Sequence, residues 1–266
     1  MNNDLFTVSY SSNIPQRDTF YLHSHNGYEI HYIIRGDLDF IVEGSVYKIS
    51  PRDIIFVGPE EMHRALHKSS ALYERVIIFI KDTFFTEFNC GELKEIFINR
   101  TLGTKNQVPF DDMTKNGIAD VFERLQKYTN NYTNTKDHIF LSSILELLNL
   151  LNNKDVTKSA TESRIHNVIT YINDNFKEDI TLSRISQKFF VSKEHLSRSF
   201  HQRTGYTVSE YVCLKRMAYI YNLCVSGETI GEACILAGFS DYSSFYRACK
   251  KLYGKNPRKW LNEKLS

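Results

Sequence analysis

Residues 229–260 read TIGEACILAGFSDYSSFYRACKKLYGKNPRKW, and residues 181–211 repeat this arrangement of apolar and small residues. In both stretches a short apolar periodicity of i, i+3 type is followed by a turn and by a second, longer periodicity, which predicts a helix, a tight turn and another helix. Gly205 of the first copy corresponds to Gly254 of the second, and both suit the left-handed position that ends a helix. The C-terminal third of the chain therefore predicts two helix-turn-helix units in tandem.

The second helix of each unit is a candidate DNA-recognition helix, because in this motif that helix enters the major groove. The two are predicted at Lys193–Arg203 and Asp241–Tyr253, with Ser192 and Ser240 as N-caps whose hydroxyls accept a backbone N–H. One helix over Val208–Val225 would separate them by about 27 Å at 1.5 Å per residue. That length is of the order of the ~34 Å between successive major-groove faces, so one chain can place both helices on one side of a duplex.

Charge is distributed unevenly along the chain. The whole sequence has 33 Lys and Arg against 31 Asp and Glu. Residues 163–266 hold 16 of the basic and 9 of the acidic residues, a balance of +7, against −5 for residues 1–162. This difference in charge indicates that residues 163–266 and residues 1–162 bind different partners. A polyanion such as DNA is the expected partner of the basic residues 163–266. The alternative is a plain helical bundle whose basic residues are only solvated.

Composition excludes several classes of protein. No apolar run approaches the ~18–20 residues that span a bilayer, and the N-terminal MNNDLFTVSYSSN lacks the basic and apolar blocks of a signal peptide. The 5 cysteines form no CxxC pair, which argues against a disulfide framework or a zinc ribbon and for a reducing compartment. Membrane and secreted proteins are thereby excluded, and a cytoplasmic location is expected.

Residues 5–110 predict a small β-barrel or sandwich, because short runs of Val, Ile, Phe and Tyr alternate with turn residues. Glu43-Gly44 and Arg35-Gly36 are the candidate hairpin turns. The expected strands are Glu29–Ile34, Asp37–Val42, Ser45–Ile49, Asp53–Val57 and Tyr73–Ile80.

Helical periodicity replaces this pattern from about Asp111. The apolar positions that recur at helical spacing are Ile118, Val121, Phe122 and Leu125, and then Phe140, Ile144, Leu147, Leu148 and Leu151. The second set approximates a coiled-coil seam for less than two heptads, so a helix docked on its own domain and a dimerisation helix both stay open. Residues 152–162, NNKDVTKSATE, have almost no bulky apolar side chain and predict a linker.

Residues 164–262 resemble the DNA-binding domain of the AraC/XylS family of bacterial transcription regulators. The resemblance lies in ITLSRISQKFFVSKEHLSRSFHQRTG and in the stretch from residue 229 quoted above, most of all in GFSDYSSFYR followed by KKLYGKNPRKW. It implies that early recognition-helix residues read the bases, here Glu194, Ser197, Arg198, Tyr242, Ser243, Tyr246 and Arg247. The exposed lysines Lys193, Lys250 and Lys251 complete the predicted DNA-binding set. Cys249 in place of Phe, and Ala233-Cys234 in place of Ile-Ala, depart from the family pattern at core positions.

The first half of the chain carries a histidine pattern similar to the two motifs of cupins, small β-barrels with three His and one Glu pointing inward. His23, His25 and Glu29 have the spacing of the first motif. His63 resembles the second, although it comes one position early and Glu61 stands where Gly is expected. An i, i+2 pair on a strand faces one side, so His23 and His25 are predicted to converge, and at most one of His31 and Tyr32 points inward.

Imidazole and carboxylate are suitable ligands for Fe, Mn, Zn or Ni. A cupin-like barrel before a double helix-turn-helix is, however, the effector-sensing arrangement of the AraC family, which implies a small polar ligand and neither a metal nor another cofactor. The residues predicted to bind this effector are His23, His25, Glu29, Arg35 and His63.

The sequence thus predicts a mixed two-domain protein. A cupin-like β-barrel with appended helices occupies residues 1–151 and serves effector binding and dimerisation, residues 152–162 form a linker, and residues 163–266 form an all-α domain with two helix-turn-helix motifs. We expect a sequence-specific transcription activator without enzymatic activity that responds to a small polar effector such as a carbohydrate. Its partners would be promoter DNA, RNA polymerase and a second copy of the chain.

Two other functions stay open from the sequence. One is a cupin metalloenzyme, of the isomerase or dioxygenase type, with a helical appendage. The other is a regulator whose barrel serves only for oligomerisation.

Overall fold

The computed structural model describes residues 5–15, 22–131, 136–152 and 164–265. The chain divides into two compact units, Met1–Thr161 and Glu162–Ser266. The predicted linker lies outside the described residues apart from Asn152, which ends a helix. In the part of the chain that is described, no helix combines the length and the apolar character needed to cross a bilayer.

Among the described residues of the N-terminal unit, the strands form two antiparallel sheets. The larger runs in the order β1-β7-β2-β5-β8 and the smaller in the order β4-β3-β6. The strands are β1 (Phe6–Asn13), β2 (Tyr28–Arg35), β3 (Leu38–Val42), β4 (Ser45–Lys48), β5 (Ile54–Val57), β6 (His63–His67), β7 (Tyr73–Ile80) and β8 (Gln107–Val108). Side chains from both sheets, among them Ile33, Phe40 and Ile55, share one buried apolar cluster. The predicted β-rich N-terminal domain is confirmed, and its interior lies between the two sheets.

Only one of the two predicted hairpin turns joins paired strands. Glu43 and Gly44 have φ of 46° and 72°, both positive as a type I′ turn requires, and Val42 pairs with Ser45 across them. The prediction for Arg35-Gly36 is wrong, because β2 and β3 belong to different sheets. This turn instead carries the chain from one sheet to the other.

The five predicted strands are present, with ends that differ from the predicted ones by at most one residue. The sequence missed β1, β6 and β8, which contain many polar residues or are very short. It also missed the helical segments within residues 82–98, which are α1 (Asp82–Glu87), a 3-10 turn (Gly91–Lys94) and α2 (Glu95–Ile98).

Helices cover the outer face of the larger sheet. After α3 (Phe110–Thr114) come α4 (Ile118–Asn131) and α5 (Lys136–Asn152). The Phe122 ring of α4 stacks on the Tyr32 ring of β2 with their centroids 4.5 Å apart. All of the apolar positions predicted for these two helices are at most 6% exposed in the core shared with the sheet. These faces are therefore docked on their own domain, which decides between the two alternatives for them.

The C-terminal unit is helical. Its elements are α6 (Arg164–Asn175), α7 (Leu182–Lys188), α8 (Lys193–Thr204), α9 (Val208–Val225), α10 (Ile230–Leu236), α11 (Tyr242–Tyr253) and α12 (Pro257–Leu265). The pairs α7–α8 and α10–α11 are the two predicted helix-turn-helix units. Arg216 of α9 donates hydrogen bonds to the carbonyl oxygens of Phe176 and Glu178, each 2.7 Å long. Its guanidinium also lies 5.4 Å from the centroid of the Phe239 ring, so α9 connects the segment after α6 with the second unit.

Capping fixes the ends of the two recognition helices. Gly205 and Gly254 end them with φ of 80° and 68°, which confirms the predicted C-caps. Ser192 accepts a hydrogen bond from the backbone N–H of His195 and caps α8 as predicted. The prediction for Ser240 is wrong. Asp241 caps α11 instead, with its carboxylate 2.7 Å from the Ser244 nitrogen, because a carboxylate accepts this N–H and also interacts favourably with the helix dipole.

The tight turns inside the two units differ in sequence. Gly238 has φ of 91°, and a Cβ atom there would lie 2.1 Å from the carbonyl oxygen of Lys177. Phe190 occupies the equivalent place in the first unit with φ of 53°, and its side chain is 95% exposed. The first unit therefore places a bulky residue in a backbone conformation that glycine adopts without strain.

Candidate effector site and DNA interface

Glu29 is the centre of a cluster of imidazoles on the inner side of the larger sheet. Its Oε2 atom lies 2.7 Å from His31 Nε2, 3.2 Å from His25 Nε2 and 3.4 Å from His63 Nε2. Potential ligand atoms of His25, Glu29 and His63 all lie within 4.8 Å of one another. Three of the residues predicted from the cupin-like spacing are thus brought together.

Different elements position these side chains. Glu29 and His31 alternate with the outward-facing Ile30 on β2, so that both point to the inner face. His25 lies in the loop before β2, where its carbonyl oxygen accepts a hydrogen bond from the Glu60 N–H, 2.9 Å away. Gly27 lets this loop approach the sheet closely, because a Cβ atom there would lie 2.3 Å from the Phe79 ring.

His23 lies at the exposed edge of the predicted quartet, with its ring centroid 4.3 Å from that of His63 and 6.2 Å from that of His25. Its side chain is exposed, and its backbone forms an isolated bridge to His63 rather than part of a longer strand. His23 and His25 are near each other as predicted, but strand alternation is not the reason, because residues 24–27 are not strand. His31, which the sequence left undecided between two orientations, takes the inward place.

Arg35 lies apart from the histidine cluster. A register shift between Ile33 and Arg35 interrupts the pairing of β2 with β7, and a bulge of this kind changes the face that a side chain occupies. Arg35 forms an ion pair with Glu74 and borders a groove of about 620 Å³ with Tyr32 and Glu123 of α4. The predicted effector-binding set is therefore divided between two places in the domain.

A buried ion pair supports the turn that leads into β6, the strand that begins at His63. Glu61 and Arg100 approach to 2.5 Å, with side chains 0% and 3% exposed. The same carboxylate accepts the backbone N–H groups of Gly58 and Gly103 at 2.7 and 2.8 Å. The carbonyl oxygen of Glu61 lies 2.8 Å from His63 Nδ1. Glu61, the residue that departs from the cupin pattern, thus orients the ring of His63. Nothing in the sequence pattern indicates that Arg100 is its partner.

The electrostatics of the cluster favour an ionised carboxylate. Burial raises the pKa of Glu29, but the surrounding imidazoles, His31 foremost, outweigh it and hold this pKa well below its usual range. Burial lowers the pKa of His31, although Glu29 acts in the opposite direction. The site is therefore a negatively charged oxygen surrounded by nitrogen atoms.

The predicted DNA-binding side chains lie on the outer faces of α8 and α11. All of them are exposed except Ser197, which is half-buried. Leu196 and Phe200 of α8, and Phe245 and Cys249 of α11, face the core instead. The departures at Cys249 and Ala233-Cys234 likewise fall on buried positions. Each recognition helix therefore has an apolar inner face and a polar outer face.

Two of the predicted contact residues already have partners within the domain. Lys251 Nζ lies 3.2 Å from the Glu210 carboxylate of α9. Arg247 donates a hydrogen bond to the Ser244 hydroxyl, 3.1 Å away. Lys250, one residue before Lys251, is exposed and closes the last turn of the same helix, which makes it the better placed of the two lysines for a phosphate.

Family comparisons agree with both halves of this architecture. The AraC-like ligand binding domain matches residues 6–151, more than half of the chain, and a helix-turn-helix domain matches residues 185–263. The chain belongs to the AraC family. The predicted family is confirmed, and this AraC-family protein is a transcription regulator with an N-terminal ligand-binding domain and a C-terminal DNA-binding domain.

Curated relatives of this AraC-family protein align along nearly its whole length. The HTH-type transcriptional activator RhaS of Enterobacter sp. (strain 638) is 21% identical over 260 residues, which cover 94% of this chain and 90% of RhaS. RhaS of Escherichia coli O81 is 23% identical over 261 residues, covering 95% and 91%. Among solved structures, ToxT from Vibrio cholerae is 16% identical with a TM-score of 0.42 and covers 97% of this chain and 98% of ToxT.

Proposed function

We propose that this AraC-family protein activates transcription in response to a small polar effector, such as a carbohydrate, bound in its barrel. The observation that carries the proposal is the combination of a largely buried imidazole–carboxylate cluster with two exposed, basic recognition helices in one chain. Both RhaS relatives are named as transcriptional activators, which supports activation rather than repression. Residues 1–151 would serve sensing, residues 152–162 would connect, and residues 163–266 would bind promoter DNA.

In this proposal α8 and α11 occupy successive major-groove segments. Arg198 and Arg247 lie on the exposed faces of the two helices, and arginine is well suited to bidentate contact with guanine. The other base-reading positions would be Glu194, Ser197, Tyr242, Ser243 and Tyr246. Lys193 and Lys250 would contact phosphates, and Lys251 would do so after leaving Glu210.

His25, Glu29 and His63 would contact the effector in the barrel. Their nitrogen and oxygen atoms converge and can donate to or accept from hydroxyl groups. His31 joins this set through its 2.7 Å contact with Glu29. His23 would contact a ligand only at the edge of the cluster, and Arg35 would act from the neighbouring groove. To regulate, the effector must bind the active and inactive arrangements with unequal affinity.

Further properties belong to the same proposal. A homodimer would form through surfaces other than the apolar faces of α4 and α5 that are buried within the domain. The protein would act in the cytoplasm, contact RNA polymerase and catalyse no reaction of its own. Sedimentation of the purified chain with and without promoter DNA would measure its oligomeric state.

A promoter reporter combined with a ligand screen tests the proposed function. Sugars and related polar metabolites are first screened for a rise in melting temperature, because a ligand of the folded state must stabilise it. A stabilising compound should induce the reporter with wild-type protein, and Glu29→Gln should remove induction while DNA binding by the full chain persists. The proposal would be overturned if the protein bound no duplex specifically near 50 mM salt. It would also be overturned if the protein converted a small substrate catalytically.

A further inference from the structure

We propose that Ser244 is a positioning residue of the second recognition helix, which orients the guanidinium of Arg247 for a guanine base without touching the DNA itself. The inference deepens the proposed function and rests on it, because it requires that Arg247 reads a base. Ser244 lies outside the set of residues that the family resemblance implies for DNA binding. Its role follows from a chain of hydrogen bonds at the start of α11.

This chain of hydrogen bonds connects Arg247 with the N-cap of the helix. Arg247 Nη2 donates to Ser244 Oγ over 3.1 Å, and Ser244 Oγ donates to Asp241 Oδ2 over 3.0 Å. Residues three positions apart are neighbours on a helix surface, so each contact bridges a single turn. The guanidinium is thereby linked to the residue that precedes the helix.

The Asp241 carboxylate fixes the direction of these hydrogen bonds. It accepts the Ser244 backbone N–H over 2.7 Å and the Ser240 hydroxyl over 3.0 Å. The Ser244 N–H foremost, together with the two serine hydroxyls, holds the pKa of Asp241 below its usual range, so the carboxylate is ionised at neutral pH and can only accept. The one hydrogen of the Ser244 hydroxyl is therefore directed to Asp241, and its lone pairs face Arg247 as acceptors.

The place of this contact suits base reading. Helical side chains lean towards the N-terminus, and the early part of a recognition helix reaches the base edges. The half-buried Ser244 holds the exposed Arg247 over this early part. The contact uses one of the five N–H groups of a guanidinium, and a bidentate contact with guanine needs two. Arg247 is thus oriented before it meets DNA, which reduces the conformational entropy lost on binding.

The first recognition helix offers a comparison within the same chain. In the repeat, His195 takes the place of Ser244, and Arg198 takes that of Arg247. His195 Nε2 lies 3.5 Å from Ser199 Oγ, one turn further along the helix. Within the described part of α8, no hydrogen bond links the His195 side chain to Arg198. We therefore expect that only the second arginine depends on a neighbouring side chain for its selection of guanine.

Affinities of the full-length chain for two duplexes test the proposal. The specific duplex is one that the wild type selects from a randomised library, and the reference is a scrambled duplex of the same length. Ser244→Ala should lower the ratio of the two affinities by roughly 2–10-fold, as expected when one long side chain must be ordered on binding. Affinity for the scrambled duplex and its salt dependence should stay unchanged, because a positioning residue contacts no phosphate.

A double-mutant cycle with Arg247→Ala distinguishes positioning from direct contact. Arg247→Ala alone should lower the affinity ratio by about 5–150-fold, and adding Ser244→Ala should lower it no further. Ser244→Thr retains a hydroxyl and should recover most of the ratio, whereas Ser244→Val has the same shape without a hydroxyl and should behave like Ser244→Ala. His195→Ala and Arg198→Ala, the matched pair on α8, should act independently of each other.

Selection from the library by Ser244→Ala gives a second readout. The variant should lose sequence preference at the base pair where Arg247→Ala also loses it, and at no other position. Circular dichroism checks the folding of each variant, and the capping N–H of residue 244 is retained in all of them. If Ser244→Ala does not fold, the comparison of Ser244→Val with Ser244→Thr replaces it.

Three results would overturn this inference alone. They are an unchanged affinity ratio in folded Ser244→Ala, an equal loss on both duplexes, and a loss that persists in the Arg247→Ala background. A wild type that selects no duplex, or an Arg247→Ala variant that keeps the full ratio, would instead overturn the proposed base reading and this inference with it.

Discussion

The Nδ1 atom of His63 lies 2.8 Å from the main-chain carbonyl oxygen of Glu61. The side chain of Glu61 is meanwhile fully buried against Arg100. A single residue therefore orients the innermost histidine of the barrel with its backbone and anchors the surrounding loop with its carboxylate. The loop of residues 100–106 and the turn before β6 are held together at this point.

Arg100→Met should destabilise the N-terminal unit by about 3–5 kcal/mol, because removing one partner leaves a buried carboxylate uncompensated. Urea unfolding followed by near-ultraviolet circular dichroism would measure the change. The double variant Glu61→Gln with Arg100→Met serves as control and should lose less than Arg100→Met alone, since the buried charge is then gone. A loss below about 1 kcal/mol for the single variant would contradict a structural role for the pair.

Phe190→Gly should stabilise the C-terminal unit by up to about 1 kcal/mol. The residue adopts a left-handed conformation that costs roughly 1–2 kcal/mol for residues other than glycine, and its exposed ring gives up little contact. The gain is reduced by the greater flexibility of glycine in the unfolded chain. Thermal unfolding would measure it.

The matched substitution in the second unit, Gly238→Ala, should act in the opposite direction. Its new Cβ would collide with the Lys177 carbonyl oxygen, and overpacking of this kind costs about 1–3 kcal/mol. If Phe190→Gly and Gly238→Ala changed the stability in the same direction, the two turns would not be equivalent in the way their backbones indicate.

Arg198→Ala and Arg247→Ala should each weaken binding to the specific site by about 1–3 kcal/mol and relax its sequence preference. Lys250→Ala should weaken specific and random duplexes by similar factors and lower the salt slope by about 0.9, because one phosphate contact is lost. Fluorescence anisotropy with both duplexes over a range of salt concentrations would measure these effects. Equal losses on both duplexes for the two arginine variants would exclude them as base readers.

Cys249 should react slowly with iodoacetamide in the folded protein. Burial raises the pKa of its thiol to about 11, so that little thiolate exists at pH 8. Its peptide should be alkylated after that of the half-buried Cys224, as measured by mass spectrometry over time.

Since the Cys249 thiol of the unfolded chain loses its proton at lower pH, the free energy of unfolding should fall as the pH rises from about 9 towards 11. Cys249→Val should show a shallower fall, and alkylation of Cys249 before Cys224 would contradict the assignment.

The sequence by itself determined the C-terminal domain almost completely. The helix Val208–Val225 has the predicted ends, and Gly205 and Gly254 occupy the predicted caps. Helix periodicity and capping depend on residues within four positions of one another, and such local signals can be read along the chain. The one local error, Ser240 for Asp241, arose because two adjacent residues could both cap and only the backbone conformation selects one of them.

The barrel site was decided by tertiary structure. Sequence spacing found His25, Glu29 and His63, but placing His31 inward and His23 at the edge required knowing where β2 begins. The groove position of Arg35 depends on a register shift against β7. The partner of Glu61 lies 39 residues away. Pairing between strands and between buried charges joins positions that are distant along the chain, and periodicity carries no record of which distant residues meet.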